Sequence, residues 1–406
     1  MSNEKSNLTK YEPLFGDWKV DSLIGEGNFS SVYKIKSYSN STFSTVKFIR
    51  IPNSNLYSNA INNLGSKKRK LNLYFSDLIS NIEHYINILS NINDPYILKY
   101  QDHTIVKLTG KTGWDFLIKM ERLDSMENFM KFNEFTLRDL LLMSIDVCVG
   151  LSRYRLKDIY QTNIYENNIF LSESGTYKIG DFSLNTHIKR NIWPNSFLSG
   201  PFNLSPELFS GKTVDETSDI YSLGMFLYKM LNNGRYPFLP DYPTEITESD
   251  IKSATKQRLK GEIFPIPVNS PEVLSKLIVK CCSFKRSERF NDPMDLRKTF
   301  EKYLSSLTED EKNKVIIYPS SYGNEDSNSE ELSEDPERTI AYGEADIPKK
   351  YSMFIEDEFL QEKTYSDTFK MIQSHNFDLV KFKKIFNTTK RKIFTFLKIN
   401  IFKKNK

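Results

Sequence analysis

The sequence contains few of the residues that build disulfide or zinc frameworks. Its 406 residues include 3 Cys and 4 His, and their spacing fits neither a disulfide scaffold nor a zinc site. Cys281 and Cys282 are adjacent in an apolar run of helical spacing, which favours core residues over metal ligands. These absences exclude the small disulfide-rich classes and indicate a reducing, intracellular environment.

Long apolar runs and a strong charge of one sign are also missing. No stretch reaches the roughly 18 apolar residues of a membrane-spanning helix, and the leading MSNEKSNLTK lacks the apolar core of a signal peptide. The 56 Lys and Arg nearly balance the 52 Asp and Glu, so the composition disfavours a general nucleic-acid binder. We therefore expect a cytoplasmic protein. Its 39% hydrophobic content can fill a sizeable core.

Composition divides the chain into four regions. We predict a polar leader over residues 1–14, a folded domain over 15–306, an acidic flexible linker over 307–352 and a C-terminal tail over 353–406. The linker contains YGNEDSNSEELSEDPE, which has too few apolar groups to offset the entropy lost on ordering. The tail regains apolar residues and ends strongly basic.

The folded region changes character part-way along. Up to residue 121, runs such as SSVYKIKSY and TFSTVKFIRI alternate apolar and polar residues, as half-buried antiparallel strands do. One helix is predicted among them, from the spacing of Leu78, Ile79, Ile82, Ile86 and Leu89. From residue 124 helices dominate, most clearly over Thr136–Arg155, Thr217–Leu231, Ser270–Cys282 and Met294–Ser305. A small β-rich lobe (15–121) and a larger helical lobe (124–306) predict an α+β fold with a ligand-binding cleft between the lobes.

Three sets of residues suggest phosphate and metal chemistry. IGEGNFSSV at 24–32 joins two strands through two glycines, which lets backbone N–H groups approach phosphates, and Lys47 lies on the next strand. Asn168 and Asp181, the latter within KIGDFS, offer the oxygen ligands that Mg²⁺ prefers. GPFNLSPE, DIYSLG and a late Arg289 follow. Each signal is weak alone, so their order matters.

In this order and spacing, the motifs resemble those of the eukaryotic-type protein serine/threonine kinases, in particular their bacterial branch. The resemblance covers about residues 15–306 and implies a bilobal kinase fold, ATP and Mg²⁺ as cofactors, and a protein substrate or partner. It implies that Glu207 and Arg289 form a buried ion pair. It also implies that Asp219 braces the catalytic loop, IYQTNIYENNIF at 159–170, from below. The nucleotide would be bound by Ile24, Gly25, Gly27, Phe29, Val32, Lys47, Met120, Glu121, Leu123 and Phe170, and the metal by Asn168 and Asp181.

The catalytic loop departs from the family pattern H-R-D-x-K-x-x-N. The Asp that takes the proton of the substrate hydroxyl is replaced by Asn163, and an amide cannot act as a base. The Lys two residues later, which would neutralise the transferred phosphoryl group, is Tyr165. The Arg that reads a phosphorylated segment is Thr162. Of the catalytic positions, Lys47 is kept and Asn163 is degenerate.

The helix after the third strand also lacks its acid. Family spacing places the Glu that would pair with Lys47 at Tyr85. Glu83 is two residues away, which is about 200° of rotation around a helix, so we expect it to point elsewhere unless the helix is locally kinked. Thr45 replaces the small Ala before the strand Lys, and Ser183 replaces the Gly of D-F-G.

Three interpretations follow. The first is a pseudokinase, a scaffold or regulatory module with residual ATP and Mg²⁺ binding and lost or strongly impaired phosphotransfer. The second is an active but atypical Ser/Thr protein kinase, since Lys47, Asn168 and Asp181 remain. The third is a partner or membrane adaptor that binds no nucleotide. The sequence names no substrate and does not define an oligomeric state.

Two basic segments lie outside these motifs. The tail 381–406 has no acidic residue and places apolar side chains roughly on one helical stripe, which is typical of a helix lying on an anionic membrane surface. The alternatives are a helix docked on the large lobe or on a partner, and, less favoured, nucleic-acid binding. KKRK at 67–70 is interpreted as a solvated loop, with a partner-binding patch as the less favoured alternative. The apolar stripe comprises Phe382, Ile385, Phe386, Ile393, Leu397 and Ile401.

Overall fold

A computed structural model describes residues 8–26, 30–52, 56–58, 60–61, 65–109, 113–180, 202–210 and 212–318. All of them lie in one compact unit, Met1–Tyr351. Gly27, Phe29, Asp181 and the tail 381–406 lie outside the described residues. In the described part of the chain, no helix is long and apolar enough to cross a bilayer.

The small lobe is built on a five-stranded antiparallel sheet in the order β1-β2-β3-β5-β4. Its register pairs Val32 with Lys47 and Thr45 with Met120. Because side chains of paired residues share a face and alternate along a strand, these four residues lie on one face of the sheet. The strands are β1 (Trp18–Glu26), β2 (Ser30–Ser37), β3 (Phe43–Ile51), β4 (Tyr100–Lys107) and β5 (Trp114–Met120).

The opposite face of this sheet is covered by the residues that precede it. Leu8 and Leu14 are 0% and 1% exposed and form one apolar cluster with Tyr33, Val46 and Leu117. The Tyr11 hydroxyl donates to the buried Asp115 at 2.7 Å. The predicted polar leader thus contains, from residue 8 onwards, a segment that belongs to the small lobe.

One long helix, α1 (Lys68–Ser90), packs beside the sheet. Its buried side chains recur every three to four residues and include the five that predicted it. The helix begins at Lys68, so most of KKRK forms its first turn, and the predicted loop there is wrong. The basic side chains are exposed, as expected for solvated groups. The buried residues are Leu71, Phe75, Leu78, Ile79, Ile82, Ile86 and Leu89.

The large lobe opens with a short three-stranded sheet and continues mainly as helices, which confirms the predicted bilobal α+β fold. Its elements are β6 (Asp124–Ser125), α2 (Met126–Phe132), α3 (Leu137–Arg155), a 3₁₀ turn (Glu166–Asn168), β7 (Ile169–Leu171), β8 (Tyr177–Ile179), α4 (Pro206–Phe209), α5 (Glu216–Leu231), α6 (Glu248–Lys260), α7 (Glu272–Cys281), a 3₁₀ turn (Arg286–Glu288), α8 (Pro293–Ser306) and α9 (Glu309–Lys312).

Helix α5 is the centre of the large lobe. It is buried on almost every side, as a helix in the middle of a core should be. Gly224 of α5 lets α7 approach, since a Cβ there would lie 2.6 Å from the Cβ of Cys281. Cys281 and Cys282 are buried core residues with free thiols, as predicted.

The packed chain continues past residue 306. Thr308 caps α9, and the Ile316 N–H donates to the Phe135 carbonyl at 2.8 Å. The first residues of the predicted linker, up to Tyr318, therefore belong to the folded domain. Residues 319–352 lie outside the described part of the chain.

Candidate functional site

One face of the small-lobe sheet carries the residues expected around a nucleotide. Lys47 is 3% exposed and Met120 5% exposed, while Val32 is half-buried. Ile24 lies nearby on β1 and is also buried, and the strand pairing is interrupted between Leu23 and Gly25. The register therefore places the predicted strand Lys beside apolar groups of the cleft.

The connection between the lobes is fixed by an acid. The Glu121 carboxylate accepts from the Lys178 ammonium at 2.8 Å and from the Lys99 N–H at 2.6 Å. The Glu121 N–H itself donates to the Lys99 carbonyl at 3.0 Å. Leu123, two residues on, packs half-buried against the main core. The predicted hinge thus follows directly on β5 and is tied to β8 by the Glu121–Lys178 ion pair.

The floor of the cleft depends on a glycine that sequence reasoning did not single out. Phe170 of β7 is half-buried and packs against the main core. A Cβ at Gly180 would lie 2.9 Å from Cε2 of Phe170 and 2.5 Å from Cβ of Leu98. A larger residue at 180 would displace Leu98 or Phe170, so glycine allows both side chains to pack here.

Asn163 lies at the position of the catalytic base and is not open to solvent. It is 2% exposed, and its Oδ1 accepts a hydrogen bond of 2.6 Å from Nδ2 of Asn203. The same Nδ2 donates to the Ile164 carbonyl at 2.8 Å. Because both neighbours are acceptors, only the NH₂ end of Asn203 can face them, which fixes the amide orientation. Sequence reasoning missed Asn203, although it lies in the GPFNLSPE motif.

Asn168 closes the other end of the loop. Its Nδ2 donates to the Asn163 carbonyl at 2.5 Å, and its Oδ1 accepts from the Tyr165 N–H at 3.1 Å. An amide oxygen has two lone pairs, so Oδ1 retains acceptor capacity for a hard cation. The side chain is fully buried and rigidly held. Asp181, the second predicted metal ligand, lies outside the described residues.

The loop is held from below by α5. The Thr162 N–H donates to Asp219 at 2.6 Å and the Ile164 N–H to the Ser222 hydroxyl at 2.7 Å. Thr162 has φ of 54°, a conformation rare for a non-glycine residue, and the buried Asp219 holds it there. Burial raises the pKa of Asp219 to about 8, against the N–H groups of Thr162 and Gln161, which lower it. Asp219 thus braces the loop as the resemblance implied.

The implied ion pair is present at the base of the lobe. Arg289 donates to both carboxylate oxygens of Glu207, at 2.7 and 2.9 Å, and the Ser218 hydroxyl donates at 2.6 Å. Both members are nearly fully buried. Burial raises the pKa of Glu207, but the hydrogen bonds and charge of Arg289 outweigh it and lower the pKa to about 2.

Helix α1 presents Tyr85, not an acid, toward the core. Tyr85 is half-buried and packs against the main hydrophobic cluster. Glu83 is exposed, and among the described residues no ion pair joins it to Lys47. The helix is regular across this region, so the 200° offset inferred from the sequence applies.

Glu166 is the one carboxylate within residues 161–168, and its partners lie outside the loop. Glu166 accepts from the Lys229 ammonium at 2.7 Å and from the Tyr318 hydroxyl at 2.9 Å. Sequence reasoning missed all three residues, because Tyr318 fell in the predicted linker and Lys229 lies at the end of a core helix. We call Asn163–Tyr165 the acceptor-facing end of the loop, because the family has its base and its Lys at these positions. This end of the loop 161–168 therefore contains neither a carboxylate nor a cationic side chain.

Comparison with known proteins agrees with this geometry. Residues 18–300 match the model of the protein kinase domain. The chain is 23% identical over 269 residues to the probable serine/threonine-protein kinase nek2 of Dictyostelium discoideum, covering 64% of this chain and 57% of that protein. It is 25% identical to serine/threonine-protein kinase PLK4 of Drosophila willistoni, covering 75% and 35%. It is 24% identical to human tyrosine-protein kinase Fer, covering 70% and 32%. The chain thus spans little more than half of the first relative and about a third of the others. The bacterial affinity stays a prediction.

Proposed function

We propose that this chain, which belongs to the protein kinase family, is a pseudokinase: a scaffold or regulatory module whose phosphotransfer is lost or strongly impaired. The observation that carries the proposal is the state of Asn163. The position that needs a base holds a buried amide whose oxygen already accepts a hydrogen bond from Asn203. Asn163 cannot take a proton, and its Oδ1 is already engaged by Asn203.

The groups that would stabilise the transferred phosphoryl charge are also missing. Phosphoryl transfer relies mainly on positioning and on charges placed at the transferring group. Tyr165 stands where the family has a Lys, and Tyr85 stands where the family has the acid that aims Lys47. Groups that act on one transition state lose their value together, so these changes reinforce the loss of the base.

Nucleotide binding is a separate matter, because the parts that would hold ATP and Mg²⁺ fit them. Lys47 lies on the cleft face of the sheet, where it pairs with Val32, and Met120 lies on the same face. The Asn168 amide oxygen keeps acceptor capacity. When bound, Mg²⁺ would neutralise phosphate charge at Asn168 and Asp181. We therefore propose that the chain retains a nucleotide site without an effective acceptor site.

A second candidate function is a slow Ser/Thr protein kinase. It is favoured by the joint presence of Lys47, Asn168 and Asp181 and by the names of several relatives. A positioned base contributes typically about 10²- to 10⁴-fold, so its loss alone reduces the rate without removing every catalytic contribution. The hydrogen bond from Asn203 argues against this candidate, because it competes with a substrate hydroxyl for the Oδ1 of Asn163.

The deciding experiment measures γ-phosphate transfer from Mg–ATP to the chain itself and to a generic protein substrate. The pseudokinase proposal expects no transfer above an Asp181→Ala control. Transfer that disappears in that control would establish the slow kinase instead. Thermal stabilisation by Mg–ATP, lost in Lys47→Ala, is expected from the retained site. If Mg–ATP gives no stabilisation, the remaining interpretation is an adaptor that binds no nucleotide.

Cytoplasmic localisation and the partners of such a module are also proposals. Kinase-fold modules act on or with proteins, so a protein partner is expected. For the tail 381–406 we propose peripheral contact with an anionic membrane, supported by its Lys-rich amphipathic pattern. Co-sedimentation of the full chain with vesicles containing phosphatidylserine, compared with phosphatidylcholine vesicles, tests this. Equal binding to both, or to neither, would contradict it.

A further inference from the structure

The last described residues of the chain return to the catalytic loop. After α9, the Leu137 N–H donates to the Lys314 carbonyl at 2.9 Å, and the Ile316 N–H donates to Phe135 at 2.8 Å. We call residues 314–318 the C-terminal segment. Ile316 and Tyr318 pack against the main core, whereas Ile317 is 71% exposed. This alternation turns the Tyr318 side chain inward, toward the loop.

Tyr318 meets a buried ion pair there. Its hydroxyl donates to Oε1 of Glu166 at 2.9 Å, and the Lys229 ammonium donates to the same oxygen at 2.7 Å. The side chains of Glu166 and Lys229 are only 12% and 19% exposed. The ammonium also lies 5.5 Å from the ring centre of Tyr318 and 5.6 Å from that of Tyr236, within cation–π range. Three segments distant in sequence thus converge on one carboxylate.

The pair is charged, which makes these contacts strong. The Lys229 ammonium lies 2.7 Å from Oε1 of Glu166, within the range of a charge-assisted hydrogen bond, and the Tyr318 hydroxyl donates to the same oxygen. Burial lowers the pKa of Lys229, but Glu166 outweighs this and raises it. Hydrogen bonds to an ionised acceptor are roughly twice as strong as neutral ones. Tyr318 therefore contributes a strong bond to Glu166.

Glu166 lies between Asn163 and Asn168, the two loop residues that matter for the site. It begins the 3₁₀ turn Glu166–Asn168, three residues after Asn163. The turn is closed by the Tyr165 N–H on Asn168 Oδ1 and by the Asn168 N–H on the Tyr165 carbonyl. Where Glu166 is held, the path of the backbone between Asn163 and Asn168 is held too.

We propose that Tyr318 is a positioning residue of the catalytic loop: through Glu166 it holds the turn that places Asn163 and Asn168. The order of the loop then depends on the C-terminal segment, which leads directly into residues 319–406. The proposal deepens the proposed function in one respect, since it concerns the same loop. It does not depend on whether the loop transfers phosphate.

Hydrogen exchange followed by mass spectrometry on the full chain tests this, with Tyr318→Phe as the variant. The substitution keeps the ring and removes only the hydroxyl. We expect amides in residues 161–168 to exchange about 10- to 100-fold faster, because a hydrogen bond to a charged group contributes that order of stabilisation against local opening. The matched control is Tyr38→Phe, whose hydroxyl faces Glu12 at 3.5 Å on the exposed edge of the small lobe. That control should leave the loop unchanged.

A second variant separates positioning from simple loss of packing. Glu166→Gln keeps an acceptor oxygen but removes the charge that the buried Lys229 ammonium faces, so its own effect on the loop should exceed that of Tyr318→Phe. In the Glu166→Gln background, Tyr318→Phe should add less than it does in the natural chain. Faster exchange confined to residues 314–318, or equal effects of Tyr318→Phe in both backgrounds, would overturn the proposal. Detection of phosphotransfer activity would overturn the proposed pseudokinase function but would not alter the exchange rates expected here. The two proposals can therefore fail separately.

Discussion

The supports beneath the catalytic loop and the groups on its acceptor-facing side have opposite character. Below the loop, the buried ion pair of Glu207 with Arg289 and the buried hydrogen bond of Thr162 to Asp219 keep the contacts that the family resemblance implied. At the acceptor-facing end, Asn163 is a neutral amide bonded to Asn203. The contrast teaches that the contacts that build this fold do not depend on the groups that perform its chemistry. A chain can keep the first set completely while it loses the second.

Breaking the support should have the largest effect. Arg289→Ala leaves Glu207 as a buried carboxylate without its main partner, and removal of one member of a buried pair costs about 3–5 kcal/mol of unfolding free energy. Denaturant-induced unfolding of the full chain measures this. Lys276→Ala, which removes an exposed pair with Glu272, is the control and should change little. Equal stability of the two variants would show that the buried pair does not hold the lobe.

The same support predicts a dependence of stability on pH. Glu207 has a pKa of about 2 in the folded chain, below its ordinary value of 4.5. The unfolded state therefore binds the proton more readily as the pH falls. The contribution of this carboxylate is fully present above about pH 4.5 and is lost as the pH falls toward 2, with a total of about 3 kcal/mol.

Unfolding free energies measured between pH 5 and 2.5 test the sign. Glu207→Gln should flatten the slope in this window, because the group that titrates is gone. A slope unchanged in Glu207→Gln would assign the acid sensitivity to other carboxylates, and the low pKa of Glu207 would be contradicted.

A smaller effect is expected at the acceptor-facing end. Asn203→Ala removes the donor shared by the Asn163 side chain and the Ile164 carbonyl. Buried acceptors left without a donor cost about 1–3 kcal/mol. Asn269→Ala is a matched control, because Asn269 also donates its amide to another Asn, Asn233, but at an exposed site. Denaturant unfolding should separate the two variants by at least about 1 kcal/mol. An equal loss of unfolding free energy in both variants would show that the buried Asn163–Asn203 bond does not stabilise the loop.

The sequence predicted what depends on local periodicity and missed what depends on distant contacts. Helices α3, α5, α7 and α8 begin and end within two residues of the predicted bounds, because their apolar spacing and caps are local signals. The Asn163–Asn203 bond joins residues 40 positions apart and the Glu166–Tyr318 bond residues 152 apart. No local pattern marks such pairs, since each partner alone resembles an ordinary polar surface residue.

Polar composition misled the sequence reasoning at both ends of the domain for a related reason. Leu8 and Leu14 are few among polar neighbours, yet both are buried against one face of the sheet, where the partly buried Tyr11 and Phe15 pack beside them. Residues 307–318 pack through single contacts such as Ile316 with Phe135 rather than through a long apolar face. Average composition cannot detect packing that rests on single side chains.

The smallest expected effect comes from restoring the base alone. Asn163→Asp supplies a carboxylate, but Asn203 Nδ2 already donates to the oxygen at this position. That hydrogen bond would favour the ionised form of the new carboxylate and would also engage the oxygen that has to take the proton. Tyr165 and Tyr85 remain, so charge stabilisation at the phosphoryl group is still missing. We expect γ-phosphate transfer by Asn163→Asp to stay at the level of an Asp181→Ala control, and transfer by Asn163→Asp combined with Tyr165→Lys to exceed that of Asn163→Asp alone. If Asn163→Asp alone restored γ-phosphate transfer, and Lys47→Ala abolished it, the loss of activity would be due to Asn163 alone. The acceptor-facing end would then differ from a working loop by a single functional group, and the contrast with its intact supports would reduce to that one amide.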